Sequence, residues 1–234
     1  MDIDFSPFFR RYEEIVAKAD AVFERVKKEH PECVTCKQEC SDCCYALFDI
    51  SLIEGLYINY HFNKKFKGKE RDRLVDKLNR ADRDAHRIKK KSYRDLKAGK
   101  KEDDILMDIA EKRIRCPLLN EQNLCDMYEY RPITCRLYGI PTSIGGSGHT
   151  CGKSGFVEGR QYPTVNLDIL HDNLYKISAE LVKEIESSYV KMADMLVPLS
   201  MALITSYDEK FFGLKNTKKN NSKEKQKAQK EQKK

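Results

Sequence analysis

The spacing of apolar residues along the chain predicts a mainly helical protein. Near the N-terminus, apolar residues recur every three or four positions and would share one face of a helix: Phe8, Tyr12, Ile15, Val16, Ala19, Val22 and Val26. Ser6 can cap this helix, and Pro7 suits its first turn. His30 and Pro31 are expected to end it.

Three further helical patterns follow before residue 116. Ser51 and Glu54 have the spacing of a capping box, which predicts a helix that carries Leu52, Ile53, Leu56, Tyr57 and Tyr60. The stretch from Lys64 to Lys101 is charged except for one narrow apolar stripe, formed by Leu74, Leu78, Ala81, Ala85 and Ile88. We therefore expect a long helix that lies across the protein with most of its surface in solvent. A shorter helical pattern leads into Cys116 and passes through Ile105, Ile109 and Ile114.

Between Cys116 and Phe156 the helical period is lost, and this segment contains three prolines, six glycines and four cysteines. It predicts a short hairpin that turns at 120–123, a small helical segment around 131–138 and a glycine-rich loop. In that loop we expect Gly145, Gly146 and Gly148 to allow a close backbone approach near Cys151. Helical spacing returns after Val165, and a further helix is expected near Pro198. The predicted fold is mainly α, with helices packed around an irregular cysteine-rich segment and at most a short hairpin.

Composition adds a domain boundary to this picture. With 234 residues and 40% hydrophobic content, the chain can form one domain with its own core, which we place at residues 1–210. Residues 211–234 are expected to form a disordered, lysine-rich tail. Within it, residues 215–234 hold nine lysines and two glutamates, a surplus of seven that equals the whole net charge of +7. A solubilising role is favoured over a nucleic-acid arm, because no arginine or aromatic residue is interleaved with the lysines.

The basic stretch at 64–101 has seventeen Lys or Arg residues and six acids. This is interpreted first as a solvated face and second as a surface for an acidic partner, either a protein or a nucleic acid. The chain has no apolar run long enough for a membrane span and no pattern of a signal peptide. We therefore expect a cytoplasmic protein that does not enter a membrane, in which the thiols stay reduced and disulfides are not favoured.

Cysteines provide the main chemical signal. Eight of the nine fall into two groups, Cys36, Cys40, Cys43 and Cys44 in one short loop and Cys116, Cys125, Cys135 and Cys151 farther along. Thiolates this close repel each other unless a cation neutralises them or oxidation joins them. The spacing therefore predicts a metal site, and we expect the two groups to approach each other in the fold. The ninth, Cys33, lies just upstream of the first group.

Three better-known motifs match this chain only in part. The CxxxCxxC spacing of Cys36, Cys40 and Cys43 matches radical S-adenosylmethionine enzymes, but these need alternating strands and helices after the motif. The segment SGHTCGKS resembles a phosphate-binding loop with its glycines at the wrong spacing. The distal cysteines lack the tight pairs of a zinc finger, and the five histidines show no ligand pairing.

Four short motifs resemble the YkgJ-type, or CxxCxxCC, family of cysteine-cluster proteins, which are described as zinc- or iron-chelating. They are Cys40-Ser-Asp-Cys43-Cys44 followed by the Ser51 helix start, Cys116-Pro-Leu-Leu, Leu124-Cys125 with Tyr128, and Arg131-Pro132-Ile-Thr-Cys135-Arg136. The resemblance covers roughly residues 33–156. The family separates its first two cysteines by two residues, whereas three separate Cys36 and Cys40, which leaves Cys33 as an extra candidate ligand.

The resemblance implies metal chelation by about eight cysteines: Cys36, Cys40, Cys43, Cys44, Cys116, Cys125, Cys135 and Cys151. An all-thiolate set without histidine favours an iron–sulfur cluster, although zinc accepts the same ligands. Two function classes stay open. The first is a metal-binding protein with a structural or electron-carrying role. The second is a cluster-dependent enzyme, either redox-active or similar to the flagellin lysine methylases, which carry a similar cluster.

The residues around the expected ligands also lead to predictions. Arg131 and Arg136 either offset thiolate charge or pair with surface acids. Pro132 is expected to fix the turn that presents Cys135. We expect Cys40 to be a ligand and Cys33 only to pack.

Overall fold

The computed structural model describes residues 3–37 and 40–214, without the side chains of residues 103, 106 and 110. Its helices in these ranges are α1 (Ser6–Glu29), α2 (Leu52–Lys65), α3 (Gly68–Lys97), α4 (Glu102–Ala110), α5 (Ile133–Leu137), α6 (Leu167–Glu184) and α7 (Leu199–Ile204). Short 3-10 turns lie at Asp42–Tyr45, Tyr128–Tyr130 and Val190–Asp194. The strands are β1 (Asp49–Ser51), β2 (Thr142–Ile144), β3 (Ser147–His149), β4 (Val165–Asn166) and β5 (Leu196–Pro198). The fold is mainly α, as predicted.

The strands form two small sheets rather than one hairpin. In the first, β1 pairs antiparallel with β5, and Ile50 lies opposite Val197. In the second, β2 is central and pairs antiparallel with β3 and parallel with β4. The β1–β5 pair precedes α2 and α7 directly, so it fixes where both helices begin.

Helix α2 lies at the centre of the protein, packed against α1, α6 and α7. Its capping box is present as predicted, because the Glu54 carboxylate accepts hydrogen bonds from the backbone N–H and hydroxyl of Ser51 at 3.0 and 2.9 Å. Two apolar clusters form the core. One joins α1, α2, α5 and α6, and the other joins α2, α3 and α7.

The basic helix α3 packs through its predicted stripe. Leu74, Leu78 and Ala85 are buried, whereas most of the other side chains of α3 are exposed or half-buried. The prediction of a helix with most of its surface in solvent is therefore confirmed. Helix α4 ends at Ala110, so the expectation that helical structure reaches Ile114 is wrong.

The start of α1 also differs from the prediction. Ser6 is the first residue of the helix, and Phe5 occupies the N-cap position without a side-chain hydrogen bond. Instead, Asp4 accepts a hydrogen bond from the Ser6 N–H at 2.9 Å. The predicted end holds, because His30 is the C-cap residue.

The glycine-rich segment is a hairpin, and the predicted close approach of its glycines is wrong. Gly145 and Gly146 have φ angles of 56° and 80° and connect β2 to β3. A Cβ atom at Gly145, Gly146 or Gly148 would meet nothing within 4 Å. The first two glycines therefore serve the left-handed backbone of a tight turn.

The chain remains packed beyond the predicted boundary at residue 210. Phe212 is fully buried, and its ring lies 5.8 Å from that of Phe5. Residues 211–214 therefore pack with the core and do not belong to a tail. The rest of the predicted tail, 215–234, lies outside the described residues. In the described part of the chain, no helix combines the length and the apolar character that crossing a membrane requires.

Candidate metal centre

Hydrogen bonds join the two cysteine-bearing segments. The Cys116 N–H donates to the Cys44 carbonyl at 2.7 Å, and the Gly155 N–H donates to the Cys33 carbonyl at 2.8 Å. The Thr35 hydroxyl donates to the Lys153 carbonyl at 2.7 Å. The predicted approach of the two segments is therefore confirmed.

Five cysteines line one cavity and are called the inner cysteines below: Cys43, Cys44, Cys116, Cys125 and Cys135. They come from three places in the chain. The 3-10 turn Asp42–Tyr45 carries the first two, a hairpin carries the next two, and α5 carries Cys135. Arg131 and Pro132 line the same cavity, together with apolar residues such as Ile58 and Leu118.

The hairpin holds Cys116 and Cys125 close together. Leu119 and Cys125 form an antiparallel bridge, and the turn between them is the one predicted at 120–123. The Asn120 side chain accepts hydrogen bonds from the N–H groups of Gln122 and Leu124 at 3.0 and 2.9 Å. Asn123 has a φ of 57°, a conformation that asparagine tolerates better than most residues.

Helix α5 presents Cys135 through contacts at both of its ends. Pro132 is its N-cap residue, in agreement with the predicted turn. Glu54 accepts a hydrogen bond from the Ile133 N–H at 3.0 Å, so the cap of α2 also holds the start of α5. Arg136 is buried and binds Asp20 at 2.6 Å and the Arg131 carbonyl at 2.9 Å.

The two arginines share Asp20 as an acid partner but differ in their other contacts. Arg136 pairs with an acid, as one of the two alternatives stated. Arg131 lines the cysteine cavity and stacks over the Tyr128 ring at 3.9 Å, and its charge lowers the pKa of Cys43. Arg131 also pairs with Asp20, at 3.9 Å, so it matches both alternatives.

The inner cysteines have unequal acidities. A hydrogen bond with the Cys44 thiol, helped by the Arg131 charge, lowers the pKa of Cys43 to about 7, although burial opposes this change. The same hydrogen bond raises the pKa of Cys44. Burial raises the pKa of Cys116 to about 12 and that of Cys135 well above its usual value. Near neutral pH, Cys43 is therefore the inner cysteine most ready to become a thiolate, and a cation would be needed to deprotonate the others.

Three more cysteines form a second group, called the outer cysteines below: Cys36, Cys40 and Cys151. Burial and the nearby thiols of Cys40 and Cys151 raise the pKa of Cys36 to about 11. Cys36 also lies against Gly139, where a Cβ atom would come within 2.2 Å of its sulfur. This close approach requires glycine at position 139.

Asp42 lies between the two groups and was not among the predicted site residues. It is buried, and its carboxylate accepts hydrogen bonds from Arg113 at 2.8 Å, Tyr138 at 3.2 Å and the Cys151 thiol at 3.7 Å. Burial alone would raise the pKa of Asp42, but the hydrogen bond and charge of Arg113 outweigh it and hold that pKa below its usual value. Its position within the cysteine run was the available signal, but spacing does not show that an acid is buried.

Cys33 is buried four residues after the end of α1. Its sulfur lies 3.4 Å from a Glu32 carboxylate oxygen, and its other strongest electrostatic neighbours are Tyr162 and Arg160 rather than another cysteine. This setting fits the prediction that Cys33 packs. Its role as a non-ligand stays a prediction.

The donor set fits a thiolate-bound metal. All nine cysteines are free, and the described residues that line the inner cavity include five thiols and no histidine. Within the described residues, no three His, Cys, Asp or Glu side chains are already arranged to hold a metal ion. Binding would require the cysteines to lose their protons. The ligand role of the eight cysteines stays a prediction.

Comparison with known proteins gives one family. The model of the CxxCxxCC family, described as a "putative zinc- or iron-chelating domain", matches residues 35–152. This range begins just before the outer cysteine Cys36 and ends just after Cys151, so it contains all inner and outer cysteines. No curated protein and no solved structure matches the chain.

Proposed function

This chain belongs to the CxxCxxCC family of zinc- or iron-chelating domains, and we propose that its inner cysteines bind an iron–sulfur cluster. Zinc is the alternative occupant, because it accepts the same thiolate ligands. An iron–sulfur cluster would supply one-electron transfer, and either metal would cross-link distant parts of the chain. We propose a structural or electron-carrying role for this centre.

One observation carries the proposal: five thiols from three chain segments line a single cavity. Without a cation, deprotonating several buried thiols side by side would be costly, as the raised pKa values of Cys116 and Cys135 indicate. A bound cation would compensate that charge. Cys43, with a pKa of about 7, is the favoured first ligand.

The outer cysteines extend the proposal to eight ligands. Cys36, Cys40 and Cys151 would bind at the side of the centre nearest Asp42. Arg113 and Lys153 compensate the charge of Asp42, at 2.8 and 3.5 Å from its carboxylate. We also propose that the protein functions in the cytoplasm, where its thiols would stay reduced.

The test is metal and sulfide analysis with a visible spectrum, on protein purified without oxygen. Iron with equimolar sulfide and a visible absorption band would support the cluster, and zinc without colour would select the alternative. Protein that is folded yet contains neither metal would refute chelation by this site. Cys135→Ser and Cys40→Ser should each lose most of the bound metal, whereas Cys33→Ser should lose little. Equal metal content in all three variants would show that the ligands are misassigned.

A cluster-dependent enzyme, redox-active or methylase-like, is the second candidate, and one observation favours it. There are five inner cysteines, which is one more than the four ligands that a tetrahedral centre needs. A spare thiol would then be available for chemistry. Alkylation of the metal-loaded protein, read by mass spectrometry, tests this: a single modified inner cysteine would favour the enzyme, and complete protection would exclude chemistry at an inner thiol.

A further inference from the structure

A second, open cleft lies beside the cysteine cavity, between α3 and the segment 113–121. Its volume is ≈ 690 Å³, within the roughly 300–1,000 Å³ of small-molecule sites. Its lining combines cationic side chains with an apolar floor formed by Ala81, Ile88, Ile114, Pro117 and Leu119. A ligand with an anionic part and an apolar part would match both features.

The cleft carries an excess of positive charge. Five cations line it, against the two acids Asp84 and Glu121: Lys77, Arg80, Arg87, Arg113 and Arg115. Two of the cations are already compensated, because Arg87 pairs with Asp84 at 3.1 Å and Arg113 pairs with Asp42 at 2.8 Å. Three cations therefore stay uncompensated, and Glu121 is the one acid left to balance them among the described residues of the cleft.

These three cations come from both walls. On α3, Lys77 and Arg80 are exposed, and no side chain in the described part of the chain forms an ion pair or hydrogen bond with either. On the opposite wall, Arg115 donates hydrogen bonds to the Tyr45 hydroxyl at 3.0 Å and to the carbonyls of Leu119 and Asn120 at 3.2 and 2.5 Å. The guanidinium of Arg115 is thus fixed in place, with N–H donors remaining for a ligand.

We propose that this cleft binds a phosphorylated small molecule of nucleotide size. Guanidinium groups match the geometry of phosphate oxygens, and Lys77 would add a further positive charge. The apolar floor would cover the uncharged part of the ligand. A single nucleic-acid strand fits less well, because none of the described side chains that line the cleft is aromatic and available for base stacking.

The site would lie next to the metal centre without being part of it. Cys116 and Pro117 line both the cleft and the inner cavity. The inference does not depend on the proposed metal, because the cationic residues of the cleft lie outside the cysteine set. Failure of one proposal therefore leaves the other standing.

The test is calorimetric titration of the full-length protein, as purified without oxygen, with ATP, then with pyrophosphate and with adenosine. We expect ATP to bind, pyrophosphate to compete with it and adenosine to bind more weakly. The double variant Lys77→Ala/Arg80→Ala should weaken ATP binding by about a hundredfold or more, since each lost charged hydrogen bond is worth at least ~1.5 kcal/mol, or about tenfold. Higher salt should weaken binding in the wild type.

The matched control is Lys90→Ala/Arg94→Ala, which removes the same charge from exposed positions of α3 that do not line the cleft. It should retain wild-type affinity. Both double variants should keep the wild-type metal content and unfolding midpoint. Absence of ATP binding by the wild type, equal weakening in both double variants, or binding of a single-stranded oligonucleotide but not of ATP would each overturn the proposal.

Discussion

The Glu54 carboxylate connects the central helix α2 to α5, the helix that presents Cys135. It is buried and accepts three hydrogen bonds: from the Ser51 N–H at 3.0 Å, the Ser51 hydroxyl at 2.9 Å and the Ile133 N–H at 3.0 Å. We predict that Glu54→Ala destabilises the protein strongly. The substitution would leave two backbone N–H groups buried without an acceptor.

The expected magnitude follows from those groups. Each unsatisfied buried donor costs about 1–3 kcal/mol, so two cost roughly 2–6 kcal/mol. Removing the carboxylate also relieves an unfavourable burial, which is why burial raises the pKa of Glu54 despite its hydrogen bonds. We therefore expect Glu54→Ala to lower the free energy of unfolding by about 2–4 kcal/mol. Glu54→Gln keeps one carbonyl acceptor and should lose about half as much.

The assay is urea unfolding followed by circular dichroism at matched metal occupancy. Glu180→Ala is the control, because Glu180 is an exposed acid that pairs with Arg11, and it should change stability by less than about 1 kcal/mol. A loss below about 1 kcal/mol for Glu54→Ala would refute the reasoning, since it would mean that both N–H groups find other partners.

The raised pKa of Glu54 adds a test of sign. A carboxyl whose pKa is raised by folding contributes fully below its unfolded value of about 4.3, and that contribution is lost as pH rises through the folded value. Glutamine does not titrate. The stability difference between the wild type and Glu54→Gln should therefore shrink from about pH 4 to pH 7. A difference that grows with pH would contradict the assignment.

Two further substitutions test the packing around the site. Gly139→Ala should displace Cys36, because the added Cβ would lie 2.2 Å from its sulfur, and should lower metal content, whereas Gly148→Ala meets nothing within 4 Å and should leave metal analysis unchanged. A chain ending at Leu214 should keep its metal and its unfolding midpoint. A chain ending at residue 210 also loses the fully buried Phe212 and should be destabilised by about 3–5 kcal/mol. Equal stability of the two truncated chains would show that Phe212 is not part of the core.

The helices could be predicted because their apolar residues face the core at regular spacing. Leu74, Leu78 and Ala85 of α3 are buried as the stripe requires. The capping box at Ser51 and Glu54 is equally local, since both partners lie within one turn. What spacing did not show is that Glu54 also binds the N–H of Ile133, 79 residues away. That contact exists only once α2 and α5 have packed.

The structure differs from the sequence-based predictions at the short strands, at the start of α1 and at the glycines of the β2–β3 turn. The strand β1 has only three residues and pairs with residues about 147 positions farther along. It is therefore too short for an alternating apolar and polar pattern to predict it. Ser6 lies inside the helix rather than at the cap position, and its N–H donates to the Asp4 carboxylate. Glycines 145, 146 and 148 were assigned to a close approach, but a positive φ at the first two gives a different reason for glycine.

The division of the cysteines into inner and outer groups also depends on folded structure that residue spacing does not show. Cys40 and Cys43 are three residues apart in one short motif, yet the 3-10 turn that begins at Asp42 directs Cys43 and Cys44 toward the inner cavity. Cys40 precedes that turn and contributes to the raised pKa values of Cys36 and Cys151, and Cys43 contributes to that of Cys36 as well. A spacing motif therefore identifies candidate ligands without assigning them to groups. The division appears only in the folded chain, where the 3-10 turn forms and Asp42, buried beside it, is held by side chains from residues 113 and 138.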